Sequence, residues 1–213
     1  MSNSQTKNKI IAVFAVVFIS YVGYYGTYLP VRKSHAFILA MQSIRSAEAI
    51  PDLQRILSEP LKMKSPVGHE ELVRNTANVF LNILSTVGDP AIIAQIVDFV
   101  EENYKPIIER GTGMSFGQNL YILGAINETA FIKTNQMKYL DSAEKYYSRG
   151  LELGPNRPQP LYGLFDVYRI RGDKVKSKEI LDKILGQWPN DERVKQGYAE
   201  FLEKVVEFEA KQK

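Results

Sequence analysis

Cysteine is absent from the chain, and its absence excludes disulfides, zinc–thiolate sites, iron–sulfur clusters and cysteine nucleophiles. Histidine is nearly absent too. His35 and His69 stand far apart, and neither has a second ligand at helical spacing, so both read as structural or surface residues rather than metal ligands. No strong charge excess exists: the formal net charge is +3 over 213 residues, and the two signs are mixed along the chain. That is a solvated surface, not the clustered Lys/Arg of a nucleic-acid-binding face. Sustained period-two alternation is missing, so no sheet is expected. Gly111-Thr112-Gly113 lacks both the strand before it and the Lys-Ser/Thr after it that a phosphate loop requires, and reads as a turn.

Catalytic constellations are equally scarce. Glu70-Glu71 and Glu101-Glu102 are adjacent carboxylates, and neighbours on a helix point in different directions, so neither pair forms an acid/base dyad. The serines have no recognisable base partner. Asn127-Glu128-Thr129 fits a glycosylation sequon, but it falls within a predicted helix and reads as a chance match. No catalytic, cofactor-binding or metal-binding residue is assigned.

What the sequence does contain begins at the N-terminus. From Ile10 to Val31 no side chain is charged, a run of about the length that crosses a ~30 Å hydrocarbon core as a helix. Tyr21, Tyr24, Tyr25 and Tyr28 stand at its far end, where amphipathic aromatics meet the membrane interface, and Arg32 and Lys33 follow within reach of the headgroups. A retained anchor, a cleaved signal peptide and a buried core helix compete for this segment. The anchor is preferred, because a small-residue cleavage site is missing and a core helix seldom stays uncharged so long. Lys7 and Lys9 on one side nearly balance Arg32, Lys33 and Arg45 on the other. The orientation adopted puts the short tail inside and the large domain outside, in the extracytoplasmic space.

After Val31 the chain reads as helices with short breaks. Pro51 suits a first helical turn, with Leu53, Ile56 and Leu57 on its apolar face. Glu59-Pro60 and Lys64-Ser65-Pro66 read as a loop. A helix over 70–84 follows. Asp89 then serves as N-cap, with Pro90 at the first position, for a helix reaching about Arg110. Trp188 before Pro189 reads as a packing anchor at a helix end.

From Gln118 onward the chain repeats itself. Gln118, Leu120, Tyr121 and Leu123 match Gln159, Leu161, Tyr162 and Leu164 at one offset. Ala143, Tyr147, Leu151 and Pro155 match Ser177, Leu181, Leu185 and Pro189 at an offset seven residues shorter, which predicts an insertion around Lys133 to Lys138 in the turn of the first unit. Self-similarity at roughly 34 residues is the mark of a helix-turn-helix solenoid. The second unit carries Leu161, Leu164, Phe165 and Tyr168, the turn Arg171-Gly172-Asp173, then Ser177, Leu181 and Ile184, and ends at Pro189. This resembles a tetratricopeptide repeat, with Phe165 and Ile184 standing where that family prefers small residues. Gly124, Ala143 and Gly150 hold the small positions of the first unit, and a third, partial unit fits Tyr198, Ala199 and Leu202 before the charged stretch Glu203 to Lys213, read as a solvating cap.

The expected fold class is therefore all-α: a single N-terminal transmembrane helix followed by an α-solenoid of tetratricopeptide-like helix pairs. The expected organisation is a short polar tail at 1–9, the anchor at 10–31, degenerate helical repeats at 32–113, and tetratricopeptide-like repeats with a C-terminal capping helix at 114–213. Stacked pairs leave the first helices of each unit lining a concave groove. Its candidate residues are Gln118, Tyr121, Ala125 and Glu128, then Gln159, Tyr162, Asp166 and Arg169, each set stepping by three and four along one helix face.

The segment from Asn119 to Asp173, with its elongated first unit and the junction LGPNRPQPLYGL, is similar to the C-terminal tail of bacterial O-antigen ligase-family membrane proteins. In those proteins such repeats follow the last membrane helix, and the glycan-transferring centre lies in a multi-helix membrane domain. This chain has one apolar span, so no catalytic residue carries over. The resemblance implies a stand-alone or detached tail that partners a polysaccharide ligase or polymerase in the cell envelope. The expected function is non-catalytic: a membrane-anchored scaffold that holds a protein partner in its groove, uses no cofactor and binds no nucleic acid. Self-association without another partner is a third reading.

Overall fold

The computed structural model describes residues 2–211, and among these every regular element is a helix. The elements are α1 (Ser2–Val22), α2 (Leu29–Ser43), α3 (Ile50–Lys62), α4 (His69–Thr86), α5 (Pro90–Arg110), α6 (Phe116–Thr134), α7 (Met137–Leu153), α8 (Pro158–Ile170), α9 (Lys174–Gln187) and α10 (Glu192–Lys211). The chain divides into two compact units, 1–76 and 77–213.

In the first unit, α1 and α2 run on as one helix through a π-helical turn at Gly23–Tyr28. The wide turn has a local cause. Pro30 has no N–H to donate and its ring crowds the carbonyl four residues back. Widening the preceding turn relieves this, and Leu29 N–H bonds to the carbonyl of Tyr24, five residues away. The described helix from Gln5 to Ser46 is long and apolar enough to cross a membrane. Its apolar side chains over residues 10–22 are exposed among the described residues, Phe14 to 71% and Ile19 to 68%. The buried-core-helix reading is therefore unsupported. The four tyrosines pair along the π turn, Tyr21 with Tyr25 at 4.6 Å between centroids and Tyr24 stacked on Tyr28 at 5.6 Å.

Two details of this unit differ from the sequence reading. Lys33 is buried, not extended toward headgroups. Its Nζ donates to the Leu61 carbonyl at 3.4 Å and lies 3.1 Å from His69 Nδ1, whereas Arg32 is exposed. Lys33 shares a face with Phe37 and Ala40, the two buried apolar residues of α2, and helical spacing carries it under α3 with them. Pro60 is not loop either. It sits inside α3, and the helix ends two residues later at Lys62, with the N–H of the following Met63 on the Pro60 carbonyl. A proline in a last turn forfeits one hydrogen bond, and its buried ring joins Leu53, Leu57 and Leu61 in the core.

In the second unit each helix packs on its neighbours in sequence: α5 on α6, α6 on α7, α7 on α8, α8 on α9 and α9 on α10, with α6 also touching α8. Short turns make successive helices antiparallel. Asp89 caps α5 as expected, its Oδ1 accepting from Ala91 N–H at 2.8 Å, and Gly111 ends it with φ of 70°. Ile93, Ile96, Leu120, Leu123, Ile126, Leu140, Tyr147, Leu161 and Ile184 are among the core residues.

The seven-residue insertion is not in the turn. The first pair is joined only by Asn135 and Gln136, while α6 has 19 residues against 13 in α8, and α7 has 17 against 14 in α9. Helix α6 is lengthened because Ala130 and Phe131 continue its buried face, and Asn135 supplies the left-handed stop at φ 54°. The added length lets Lys133 Nζ donate to the Ser85 carbonyl at 2.7 Å, at the end of α4. Val194 and Phe201 are the buried residues of α10; of the expected Tyr198, Ala199 and Leu202, Tyr198 packs on Phe165 and Phe201, Leu202 is half-buried and Ala199 is exposed.

Candidate functional site

Helices α6, α7, α8 and α10 surround a cavity of about 620 Å³ in the second unit. Its position follows from two glycines. A Cβ on Gly124 of α6 would come within 2.3 Å of the Tyr147 ring, and one on Gly163 of α8 within 2.5 Å. Tyr147 of α7 is thus clamped between two bare backbones and is 1% exposed. Its hydroxyl emerges beside Glu128 and donates to Oε2 at 2.7 Å.

Six of the eight residues placed in the groove by repeat position line this cavity: Tyr121, Glu128, Gln159, Tyr162, Asp166 and Arg169. Gln118 and Ala125 do not. Gln118 is exposed on the first turns of α6, and Ala125 has only a methyl group to extend. The sequence reading missed Tyr147, Phe165, Arg193 and Val194 as lining residues. Tyr147 and Phe165 are buried, and nothing in the sequence of a single helix pair indicates that their edges meet a cavity. Arg193 and Val194 come from the first turn of α10, before the partial unit placed at Tyr198 to Leu202.

The electrostatics of the wall are uneven. Burial pushes Glu128 up to about 7; the Tyr147 hydrogen bond opposes this and the charge of Asp166 adds to it. Among the described residues no ion pair reaches Glu128. Tyr147 is held far above the usual phenol range, by burial first and then by the Glu128 charge. Asp166 is also raised by desolvation, although Arg169 and Arg193 pull the other way. Its side chain remains 48% exposed, and its contact with Arg169 is long, at 3.7 Å. Arg169 also lies over the Phe165 ring, 5.1 Å from the centroid, and its Nη1 fills the space a Cβ on Gly197 would need.

At the cavity's edge Tyr162 donates to Asp191, and Asp191 in turn accepts from Val194 N–H at 3.0 Å. The bond from Tyr162 is the first cause of Asp191 lying below the usual carboxylate range. Desolvation and that same bond raise Tyr162 to about 12. Trp188 packs on Tyr162 at 6.1 Å between centroids, and the two line a second, open hollow with Pro158 and Pro189. Arg157, in the junction between the pairs, covers Gly154 and Gly117, each of which would meet it if given a Cβ.

Comparison with protein-family models, curated proteins and solved structures gave no match. The site is therefore read from its own chemistry. Among the described residues no group of His, Asp or Glu stands where it could hold a metal ion. His35 is exposed, and His69 is engaged with Lys33. Glu101 accepts from Asn127 Nδ2 at 3.0 Å, while Glu102 is exposed. Asn127 is 1% exposed, with its amide bonded to Glu101 and to the Leu123 carbonyl, so it offers no surface for glycosylation. What the cavity combines is tyrosine rings, carboxylates raised by desolvation, and arginines.

Proposed function

We propose that this chain is a membrane-anchored helical-repeat scaffold that binds a protein partner, with α6–α7 and α8–α9 as tetratricopeptide-like pairs of a short solenoid. The observation that carries this reading is the convergence of six residues, chosen by repeat position alone, on one cavity of about 620 Å³. The pairwise packing of successive helices supports a solenoid. The exposed apolar helix supports the tether, placed at 10–31 with the repeats outside. The role in this reading is non-catalytic: the Glu128 carboxylate is engaged by the Tyr147 hydroxyl, and its acidic neighbour Asp166 contacts Arg169.

The test is residue-specific photo-crosslinking in the native membrane. A crosslinker in place of Tyr162 should yield a discrete adduct, while one in place of Lys183, exposed on α9, should not. Equal labelling from both positions, or none from residue 162, would remove the groove as the binding face.

The second reading is an accessory part of a polysaccharide ligase or polymerase system. It rests on the elongated first pair and the Arg157 junction, the features that carry the resemblance to O-antigen ligase tails. If the adduct from residue 162 is identified as such an enzyme, this reading replaces the general one. An unrelated protein leaves only the scaffold.

A further inference from the structure

We propose that the cavity between α6, α7, α8 and α10 is a receptor for a lysine side chain, presented by an extended segment of the protein partner. The inference rests on the scaffold reading and names the chemistry of its groove. Glu128 is desolvated, accepts one hydrogen bond from Tyr147 and has no counter-cation among the described residues. A carboxylate so placed is costly until a cation reaches it. The adjoining wall suits an ammonium. The Tyr121 and Tyr147 rings lie 6.1 Å apart beside Glu128, and Asp166 faces them from α8, its contact with Arg169 long at 3.7 Å and Arg193 the second cation acting on it. A cavity of about 620 Å³ accommodates a four-carbon stem and leaves the peptide backbone at the mouth. There Arg193, exposed on α10, is placed to meet peptide carbonyls.

The groups facing the incoming ammonium are Tyr121 and Glu128 of α6, Tyr147 of α7, Tyr162, Asp166 and Arg169 of α8, and Arg193 of α10. Both phenols whose shift is resolved are raised, so they stay neutral through the physiological range. Glu128 is the group that changes charge near about 7. Capture should therefore tighten as pH rises from about 6 to about 8, where Glu128 becomes fully ionised.

The experiment uses the full chain in lipid nanodiscs, labelled with ¹⁵N-glycine. Three probes are titrated at matched concentrations: the blocked peptide Ac-Gly-Ala-Lys-Ala-Gly-NH2, its norleucine counterpart, and glucosamine. The expected result is saturable shifts of the Gly124 and Gly163 amides with the lysine peptide, and at least about tenfold weaker binding of the norleucine peptide. Asp166→Asn, at a half-exposed position that tolerates the change, and Glu128→Gln should each weaken the lysine peptide several-fold, while Lys183→Gln, exposed on α9 away from the cavity, should not. Equal binding of the two peptides, or unaltered binding in both carboxylate variants, overturns the proposal. Tighter binding of glucosamine than of the lysine peptide also overturns it and assigns the cavity to an amino sugar. None of these failures touches crosslinking at residue 162, which reports on the scaffold reading separately.

Discussion

Tyr147 and Glu128 form the pair on which the site turns. The folded-state value of Glu128 is raised from 4.5 to about 7, so between these limits the folded state holds more protons than the unfolded chain. Stability is therefore greatest below about 4.5 with respect to this residue and falls as pH rises through about 7. Glu128→Gln should remove that slope and stabilise the protein at pH 8 by about 1–2 kcal/mol, allowing for partial solvent screening. Chemical unfolding of the detergent-solubilised chain at several pH values checks it; an unchanged slope in the variant would show that Glu128 is not its source.

Tyr147 makes a second prediction at the same scale. With Gly163 backbone directly against the ring, Gly163→Val forces the ring or α8 to move, because the atoms a Cβ would meet at 2.5 Å belong to a buried aromatic. Overpacking of this kind costs about 1–3 kcal/mol. Tyr147→Leu in the same chain should recover part of the loss by vacating the contact, and a thermal-unfolding double-mutant cycle measures the coupling. Additive losses would place the strain elsewhere.

At the scale of the element, α9 is held at its start by Asp173, whose Oδ1 accepts from Lys176 N–H at 2.9 Å. The preceding Gly172 adopts φ of 73°, and Arg171 ties the turn to Asp141 and Glu144 of α7. Asp173→Ala should cost about 1 kcal/mol through the lost cap. Hydrogen exchange should then rise first in the opening turn of α9, not in α6. The length of α6 follows from the same kind of local chemistry: a buried face continued through Phe131 and a left-handed Asn135.

At the scale of the whole molecule, the apolar helix decides behaviour. A face exposing Phe14, Phe18 and Ile19 to 67% or more is of the kind that marks a membrane or protein contact. The full chain should stay with membranes through alkaline carbonate extraction, whereas a chain starting at residue 32 should be released. Release of both would mean that the helix does not span, and the anchor would be lost from the functional reading.

Much of this was legible in one dimension. Helix class, the cap at Asp89 and the apolar span all rest on periodicity and turn residues, which are local properties. Repeat position also sufficed to choose residues that share a helix face, and for that reason six of the eight groove candidates line a common cavity. Which side chains reach across was decided by tertiary contact alone. Gly163 matters only because α8 meets the same ring that α6 meets at Gly124, and the two glycines occupy different positions of the repeat. Lys33 looked like an interfacial cation from its neighbours, but its place on the face shared with Phe37 buries it beside His69. Glu128 lies among uncharged residues in sequence. Its raised value arises when packing removes its water and brings Asp166 near, because desolvation and Coulomb terms depend on distance in space rather than on position along the chain.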